Sequence, residues 1–159
     1  MLEPGQPAPP FSLESDSGAT ISLESLRGRP VVIYFYPKDD TPGCTTQASS
    51  IRDNWDEFRK TGAQVIGVSP QNVASHRRFK EKYGLPFPLL ADTGHEMAED
   101  YGVWVEKTNY GKKYMGIERS TFIVDADGNL AAIKRRVKPD EHTAWALGQV
   151  EKLTAEARS

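Results

Sequence analysis

The fold of this chain depends on residues 31–44, Val31-Val-Ile-Tyr-Phe-Tyr36-Pro37-Lys-Asp-Asp-Thr41-Pro42-Gly43-Cys44, which join a strand pattern to a helix pattern. The first six residues are an uninterrupted hydrophobic run, typical of a strand buried on both faces, and Pro37 ends it. After a short polar loop, hydrophobic side chains recur at helical spacing from Cys44 to Phe58. The stretch therefore predicts a strand, a loop and an amphipathic helix, with Cys44 in the first helical turn.

Hydrophobic patterns and turn residues along the 159-residue chain predict the other elements. We expect a hairpin formed by 11–14 and 21–23, strands at 31–36, 64–68, 87–90, 121–124 and 130–133, helices at 42–60, 71–83, 94–101 and 139–156, and a polar loop over 105–119. This order predicts an α/β fold in which helices flank a mixed central sheet, within a single domain spanning 1–159. A first strand that runs into a helix with proline at its start and cysteine in its first turn favours the thioredoxin fold.

Composition excludes several classes of protein. The formal net charge is −2, so bulk charge favours neither a nucleic-acid partner nor an anionic membrane surface. No hydrophobic run reaches the length of a membrane span, and the N-terminus lacks the pattern of a secretory signal. Cys44 is the one cysteine, which excludes an internal disulfide and fits a reducing compartment. We therefore expect a cytoplasmic protein without nucleic-acid or membrane partners.

The histidines give no indication of a metal centre. Histidine is the commonest metal ligand in proteins, and ligands in metal motifs recur at short, regular spacings. His76, His95 and His142 are widely separated. We expect them at the surface and predict no metal site.

The position of Cys44 favours its reactive thiolate form. With Thr41 as the N-cap, Cys44 is the third helical residue, where free N–H groups and the helix dipole attract negative charge. We expect the Thr41 hydroxyl to accept a hydrogen bond from the N–H of residue 43 or 44, and Gly43 to let a small substrate approach the backbone. Asp39 and Asp40 would oppose the thiolate if they pointed at the sulfur, so a cation from elsewhere in the chain is expected.

The motif around Cys44 resembles a known family. The spacing of Pro37, Thr41 and Cys44 is similar to the peroxiredoxin signature. Residues 41–48, Thr41-Pro-Gly-Cys-Thr-Thr-Gln-Ala48, resemble more narrowly the subgroup called bacterioferritin comigratory protein, or peroxiredoxin Q. Further similar segments, at 101–107 and 116–125, extend the resemblance to nearly the whole chain.

The resemblance implies a role for each of five residues. Cys44 would attack the peroxide as a thiolate and become a sulfenic acid. Pro37 would shield the thiolate, Thr41 would contact the peroxide, and Arg119 would neutralise the sulfur and hold the substrate. Gln47 lies where the family carries glutamate or glutamine. The implied enzyme is a peroxidase for hydrogen peroxide and organic hydroperoxides, a monomer or weak dimer, without a cofactor.

Ser49 departs from the pattern of many members of the subgroup, which carry a second, resolving cysteine five residues after the first. A hydroxyl cannot form the disulfide, so two explanations stay open: a natural one-cysteine form, or a Cys→Ser variant made to trap a state. In either case an external thiol must reduce the sulfenic acid, and over-oxidation becomes easier. Thioredoxin, glutaredoxin and low-molecular-weight thiols are the implied reductants.

Other functions also fit some of the same residues. A thioredoxin-like disulfide reductase would need a second thiol, usually in a Cys-x-x-Cys motif, which the chain lacks. A non-enzymatic thiol sensor or holdase would use Cys44 only as a switch. Cys44 alone would also fit a small buried hydrophobic residue, and Arg119 alone a surface charge.

Overall fold

The computed structural model describes residues 1–158. The strands are β1 (Ser12–Glu14), β2 (Thr20–Ser22), β3 (Val31–Phe35), β4 (Gln64–Ser69), β5 (Leu89–Ala91), β6 (Trp104–Asn109), β7 (Lys112–Ile117), β8 (Ser120–Val124) and β9 (Leu130–Lys134). The helices are α1 (Pro42–Asp53), α2 (Trp55–Thr61), α3 (Val73–Tyr83), α4 (Glu96–Asp100) and α5 (His142–Arg158), and a 3₁₀ turn covers Glu24–Leu26. Within the described part of the chain, no helix is long and hydrophobic enough to cross a membrane.

A five-stranded sheet in the order β5-β4-β3-β8-β9 forms the centre of the fold. β3 pairs in parallel with β4 and antiparallel with β8, so the sheet is mixed. β1 and β2 form the predicted N-terminal hairpin. These features confirm the α/β class and the thioredoxin fold. They also place β3, which leads to Cys44, in the middle of the sheet.

Alternate residues of β3 divide the hydrophobic core into two parts. Val31, Ile33 and Phe35 pack on one face of the sheet, together with residues of α4. Val32 and Tyr34 pack on the other face, together with Cys44 and other residues of α1, α2 and α5. Because successive strand residues point to opposite faces, the continuous hydrophobic run in β3 is explained by burial on both sides.

The predicted polar loop over 105–119 was wrong, because β6 and β7 form an antiparallel two-stranded ribbon there. The ribbon turns at Tyr110 and Gly111, which both have positive φ, of 51° and 79°. Two-residue hairpin turns favour this conformation, but a tyrosine rarely adopts it. The turn signal in the sequence was therefore weak, although Gly111 fits it.

Two predicted helices differ from the observed ones by more than two residues or by a break. The helix expected over 42–60 is divided at Asn54, whose side-chain amide donates to the carbonyl oxygen of Ser50 at 2.8 Å and competes with the helical hydrogen bonds. The last helix begins at His142 and not at 139, since residues 138–141 form a turn in which the Glu141 N–H donates to the Lys138 carbonyl oxygen. β5 lies at the sheet edge, as expected from the proline before it.

Candidate functional site

The first turn of α1 places Cys44 where the sequence predicted it. Thr41 is the N-cap, with φ −102° and ψ 155°, and Pro42 is the first helical residue. The predicted cap hydrogen bond was wrong, because the Thr41 hydroxyl donates to the carbonyl oxygen of Lys38 at 2.9 Å. The Thr41 side chain does not cap α1, and the Thr45 N–H donates to the Thr41 carbonyl oxygen, so the N–H groups of Gly43 and Cys44 are the ones placed to interact with an anion.

Arg119 supplies the cation that the sequence required beside Cys44. Its Nη2 lies 3.4 Å from the Cys44 Sγ, and the cysteine side chain is only 1% exposed. Arg119 directly precedes β8, and the first residue of β8, Ser120, pairs with Phe35 at the end of β3. This antiparallel pairing brings Arg119 to the point where the chain leaves the sheet towards α1.

Gln47 holds the same guanidinium from the next turn of α1. Its Oε1 accepts a hydrogen bond of 2.6 Å from Arg119 Nη1, and its side chain is buried. Residues three apart share a helix face, so Cys44 and Gln47 together fix two edges of the guanidinium. The Gln47 Nε2 has no hydrogen-bond partner among residues 1–158.

The surroundings of Gly43 differ from the predicted ones. A Cβ at residue 43 would lie 3.2 Å from Arg119 Nη2 and 3.3 Å from Pro139 Cγ. The space beside Gly43 is therefore filled by protein and is not left for a substrate. A Cβ here would require the guanidinium or the Pro139 ring to shift by a few tenths of an ångström.

Two further predicted site residues, Pro37 and Ser49, lie before and after Cys44 in the chain. Pro37 is half-buried at the end of β3, where its carbonyl oxygen accepts from the Ser69 hydroxyl at 3.4 Å. Ser49 is half-buried further along α1, and a continuous helix separates it from Cys44 by about 7.5 Å along the axis. Hydrogen bonds thus unite Cys44, Arg119 and Gln47, while the roles of Pro37 and Ser49 stay predictions.

The two aspartates of the loop form hydrogen bonds with α3. Asp39 accepts hydrogen bonds from the Tyr36 hydroxyl at 2.6 Å and from the Ser75 hydroxyl at 2.7 Å. Asp40 accepts from Lys82 and Tyr83, each at 2.7 Å, and these hydrogen bonds lower the pKa of its carboxyl. Both carboxylates therefore have partners other than the thiol.

Two of the three histidines are buried, contrary to the prediction that all lie at the surface. His76 is fully buried beside Asp39. His142 is also fully buried, and its ring lies 5.4 Å from that of Tyr34. The partner of His76, Asp39, is distant in sequence, and His142 is buried with no hydrogen-bond partner for either ring nitrogen among residues 1–158, so spacing alone predicted neither position. Among residues 1–158, no cluster of three or more His, Cys, Asp or Glu side chains could hold a metal ion.

Lys107 is a second cation near the site that sequence reasoning placed in a loop. Partial burial and the positive charge of Arg119 lower its pKa, while Glu118 and Cys44 act in the opposite direction. Lys107 lies on β6, opposite Tyr114 of β7. Only the strand pairing reveals this placement, so no local signal in the sequence could have found it.

Comparison with known proteins agrees with this geometry. Residues 4–133 match the AhpC/TSA family. The chain is 48% identical over 153 residues to Peroxiredoxin Bcp of Bacillus subtilis, a match that covers 96% of this chain and 98% of that protein. The bacterioferritin comigratory protein of Xanthomonas campestris, solved to study its alkyl peroxide reduction activity, superposes with a TM-score of 0.87 at 38% identity over 91% of this chain and 92% of that one.

A fourth comparison concerns a protein with one catalytic cysteine. The yeast mitochondrial 1-Cys peroxiredoxin, whose thiol is resolved through glutathione and thioredoxin systems, superposes with a TM-score of 0.83 at 25% identity. The match covers 99% of this chain and 79% of that one.

His142 generates a prediction about stability. Burial, followed by the positive charges of Arg119 and Lys134, lowers its pKa to about 3. An unfolded histidine titrates near about 6.5, so between these values the unfolded chain binds the extra proton. The contribution of neutral His142 to stability is therefore present above about pH 6.5 and is lost progressively as the pH falls towards about 3.

We expect His142→Leu to weaken this acid sensitivity. Between about pH 6.5 and 4.5, the free energy of unfolding of the wild type should fall more steeply than that of the variant, by up to about 1.4 kcal/mol per pH unit. Urea denaturation over a pH series measures both slopes. Equal slopes in the two proteins would show that His142 does not contribute in this way.

Proposed function

The chain belongs to the AhpC/TSA family and is a peroxiredoxin, a thiol-dependent peroxidase, and we propose that Cys44 is the nucleophile that attacks the peroxide. The observation that carries this assignment is the 3.4 Å contact between Arg119 Nη2 and Cys44 Sγ at the start of α1. A guanidinium and a helix N-terminus both stabilise an anionic sulfur, which is the reactive form.

The proposed reaction begins with the Cys44 thiolate and the terminal oxygen of a hydroperoxide. The S–O bond forms while the O–O bond breaks, and the bonding electron pair leaves with the other oxygen. That oxygen takes a proton and departs as an alcohol, or as water when the substrate is hydrogen peroxide. The cysteine is oxidised to a sulfenic acid and the peroxide is reduced.

The surrounding groups have distinct proposed roles in this step. Arg119 and the N–H of Cys44 donate hydrogen bonds to the leaving oxygen as its charge develops. The Thr41 hydroxyl gives its hydrogen to Lys38, so its oxygen is left to accept the peroxide hydrogen. Gln47 positions the guanidinium, and Pro37 shields the thiolate from water.

An external thiol completes the proposed cycle. It attacks the sulfenic sulfur, water leaves, and a mixed disulfide forms. A second thiol then displaces Cys44 as a free thiol and forms a disulfide with the first. Support comes from the single cysteine of the chain and from the structural similarity to the yeast 1-Cys enzyme. Thioredoxin, glutaredoxin and low-molecular-weight thiols are the proposed reductants.

The substrates, the cellular compartment and the oligomeric state are proposed on the same basis. Hydrogen peroxide and organic hydroperoxides are the proposed substrates, in keeping with the alkyl peroxide reduction of the Xanthomonas relative. A lone free cysteine suits the reducing cytoplasm, where we place the protein as a monomer or weak dimer acting within one domain, 1–159. The proposed chemistry uses no cofactor or metal.

Arg119→Ala tests the proposed role of the guanidinium. Because a preorganised donor acts on charge that develops in the transition state, its loss should slow oxidation of Cys44 by hydrogen peroxide about 10²- to 10³-fold. Stopped-flow kinetics with a slight excess of peroxide measure this step directly. Arg59→Ala, at an exposed arginine of α2, is the matched control and should keep the wild-type rate. An unchanged rate in Arg119→Ala would remove Arg119 from the mechanism.

Ser49→Cys tests whether residue 49 alone separates this chain from two-cysteine relatives. Residues 44 and 49 lie on different faces of α1, so disulfide formation requires the helix to unwind locally. We expect one equivalent of hydrogen peroxide to remove both thiols without added reductant, as counted by alkylation and mass spectrometry. Ser50→Cys is the control and should keep its thiol. A free thiol persisting at residue 49 would contradict the expectation.

A further inference from the structure

The segment 37–41, which we call the active-site loop, is attached to α3 through its two aspartates. Asp39 contacts Ser75 and His76 near the start of α3, and Asp40 contacts Lys82 and Tyr83 at its end. The loop connects β3 directly to the first turn of α1. Movement of the loop away from its present position would therefore disturb these attachments.

Asp39 is the buried part of this attachment. Its side chain accepts hydrogen bonds from Tyr36 at 2.6 Å and Ser75 at 2.7 Å, and it lies 2.7 Å from the Nδ1 of His76. Asp39 is only 7% exposed and His76 is fully buried. Hydrogen bonds to a buried carboxyl group are strong when complete and unfavourable to break, because the remaining partners stay unpaired.

His76 links the loop to the sheet. Its Nε2 lies 2.9 Å from the carbonyl oxygen of Leu90 in β5, and a carbonyl oxygen only accepts hydrogen bonds, so Nε2 carries a hydrogen. On the other side of the ring, Nδ1 lies 2.7 Å from the Oδ2 atom of Asp39. The imidazole therefore joins the active-site loop to the edge of the central sheet.

The active-site loop, in its present position, leaves an external thiol little access to Cys44. The Cys44 side chain is 1% exposed, which admits a small peroxide more readily than the sulfur of a larger thiol. No second cysteine exists in the chain to attack the sulfenic acid from within. Asp40 has φ of 56°, an unfavourable conformation for a non-glycine residue that its contacts with α3 maintain. Opening of the active-site loop would relieve this backbone conformation of Asp40.

We propose that Asp39 and His76 are positioning residues that hold the active-site loop closed and thereby limit the access of an external thiol to oxidised Cys44. We name the set Tyr36, Asp39, Ser75 and His76 the Asp39 anchor. The closed loop favours reaction with peroxide, and its transient opening presents the sulfenic acid to the reductant. The inference rests on the proposed function, in which an external thiol resolves Cys44.

Asp39→Asn is the primary test. The amide keeps the shape of the side chain but replaces one of the two oxygens that accept hydrogen bonds from Tyr36 and Ser75, so the open state becomes more populated while the closed state remains the majority. Reduction of the sulfenic acid by glutathione should accelerate about tenfold, and oxidation by hydrogen peroxide should change less than about twofold. Both rate constants are measured by stopped-flow in separate half-reactions. Asp53→Asn, at an exposed carboxylate of α1, should alter neither.

Two substitutions at His76 separate anchoring from simple destabilisation. In His76→Asn the amide nitrogen takes the place of Nδ1 and keeps the contact with Asp39. In His76→Gln it takes the place of Nε2 and keeps only the contact with Leu90. Both variants remove the ring, so both should lower the thermal unfolding temperature. We expect accelerated reduction by glutathione in His76→Gln and a rate near that of the wild type in His76→Asn.

The outcomes distinguish this inference from the proposed function. Slow oxidation of wild-type Cys44 would overturn the proposed function itself. Rapid wild-type oxidation, with Asp39→Asn and His76→Gln reduced no faster than the wild type, would overturn only the anchor. A parallel loss of both half-reactions in these variants would also overturn it. If Asp39→Asn does not fold, Ser75→Ala removes one donor and should accelerate reduction about threefold; no acceleration would reject the anchor.

Discussion

The contact of one guanidinium with both Cys44 and Gln47 is the constraint on which the rest of the site depends. Arg119 reaches the sulfur at 3.4 Å and the amide oxygen at 2.6 Å. The antiparallel pairing of β3 with β8 brings the arginine to the start of α1. Gly43, which has no Cβ, leaves room for the Arg119 guanidinium. The contact between Arg119 and Cys44 thus depends on the sheet topology, on the helical spacing of Cys44 and Gln47, and on the absence of a Cβ at residue 43.

The burial of Cys44, the proposed nucleophile, makes its oxidised form difficult for an external thiol to reach. The sulfur is almost fully enclosed, and the chain has no second cysteine to reach it. Peroxides are small, whereas a reducing thiol must approach along the S–O axis of the sulfenic acid. The attachment of the active-site loop to α3 therefore acts on the second half of the cycle more than on the first. A peroxidase with one cysteine depends on how often this loop opens.

The sequence predicted the features that are local and missed those that arise from distant partners. The hydrophobic run and the helix pattern of residues 31–44 were sufficient for β3, α1 and the position of Cys44. The ribbon β6–β7 was missed because Tyr110 adopts a conformation rarely seen for tyrosine. The hydroxyl of Thr41 was assigned to the helix N–H groups, but the Lys38 carbonyl oxygen is its partner. Burial of His76 follows from Asp39, 37 residues earlier, which no spacing rule reveals.

The central claim is that Cys44 in this environment reacts with peroxide far faster than an ordinary thiol. The most direct measurement is the single-turnover oxidation of the wild-type protein by hydrogen peroxide in a stopped-flow instrument, beside free cysteine at the same pH. We expect a second-order rate constant at least about a thousandfold above that of free cysteine. A rate constant no greater than that of free cysteine would contradict it.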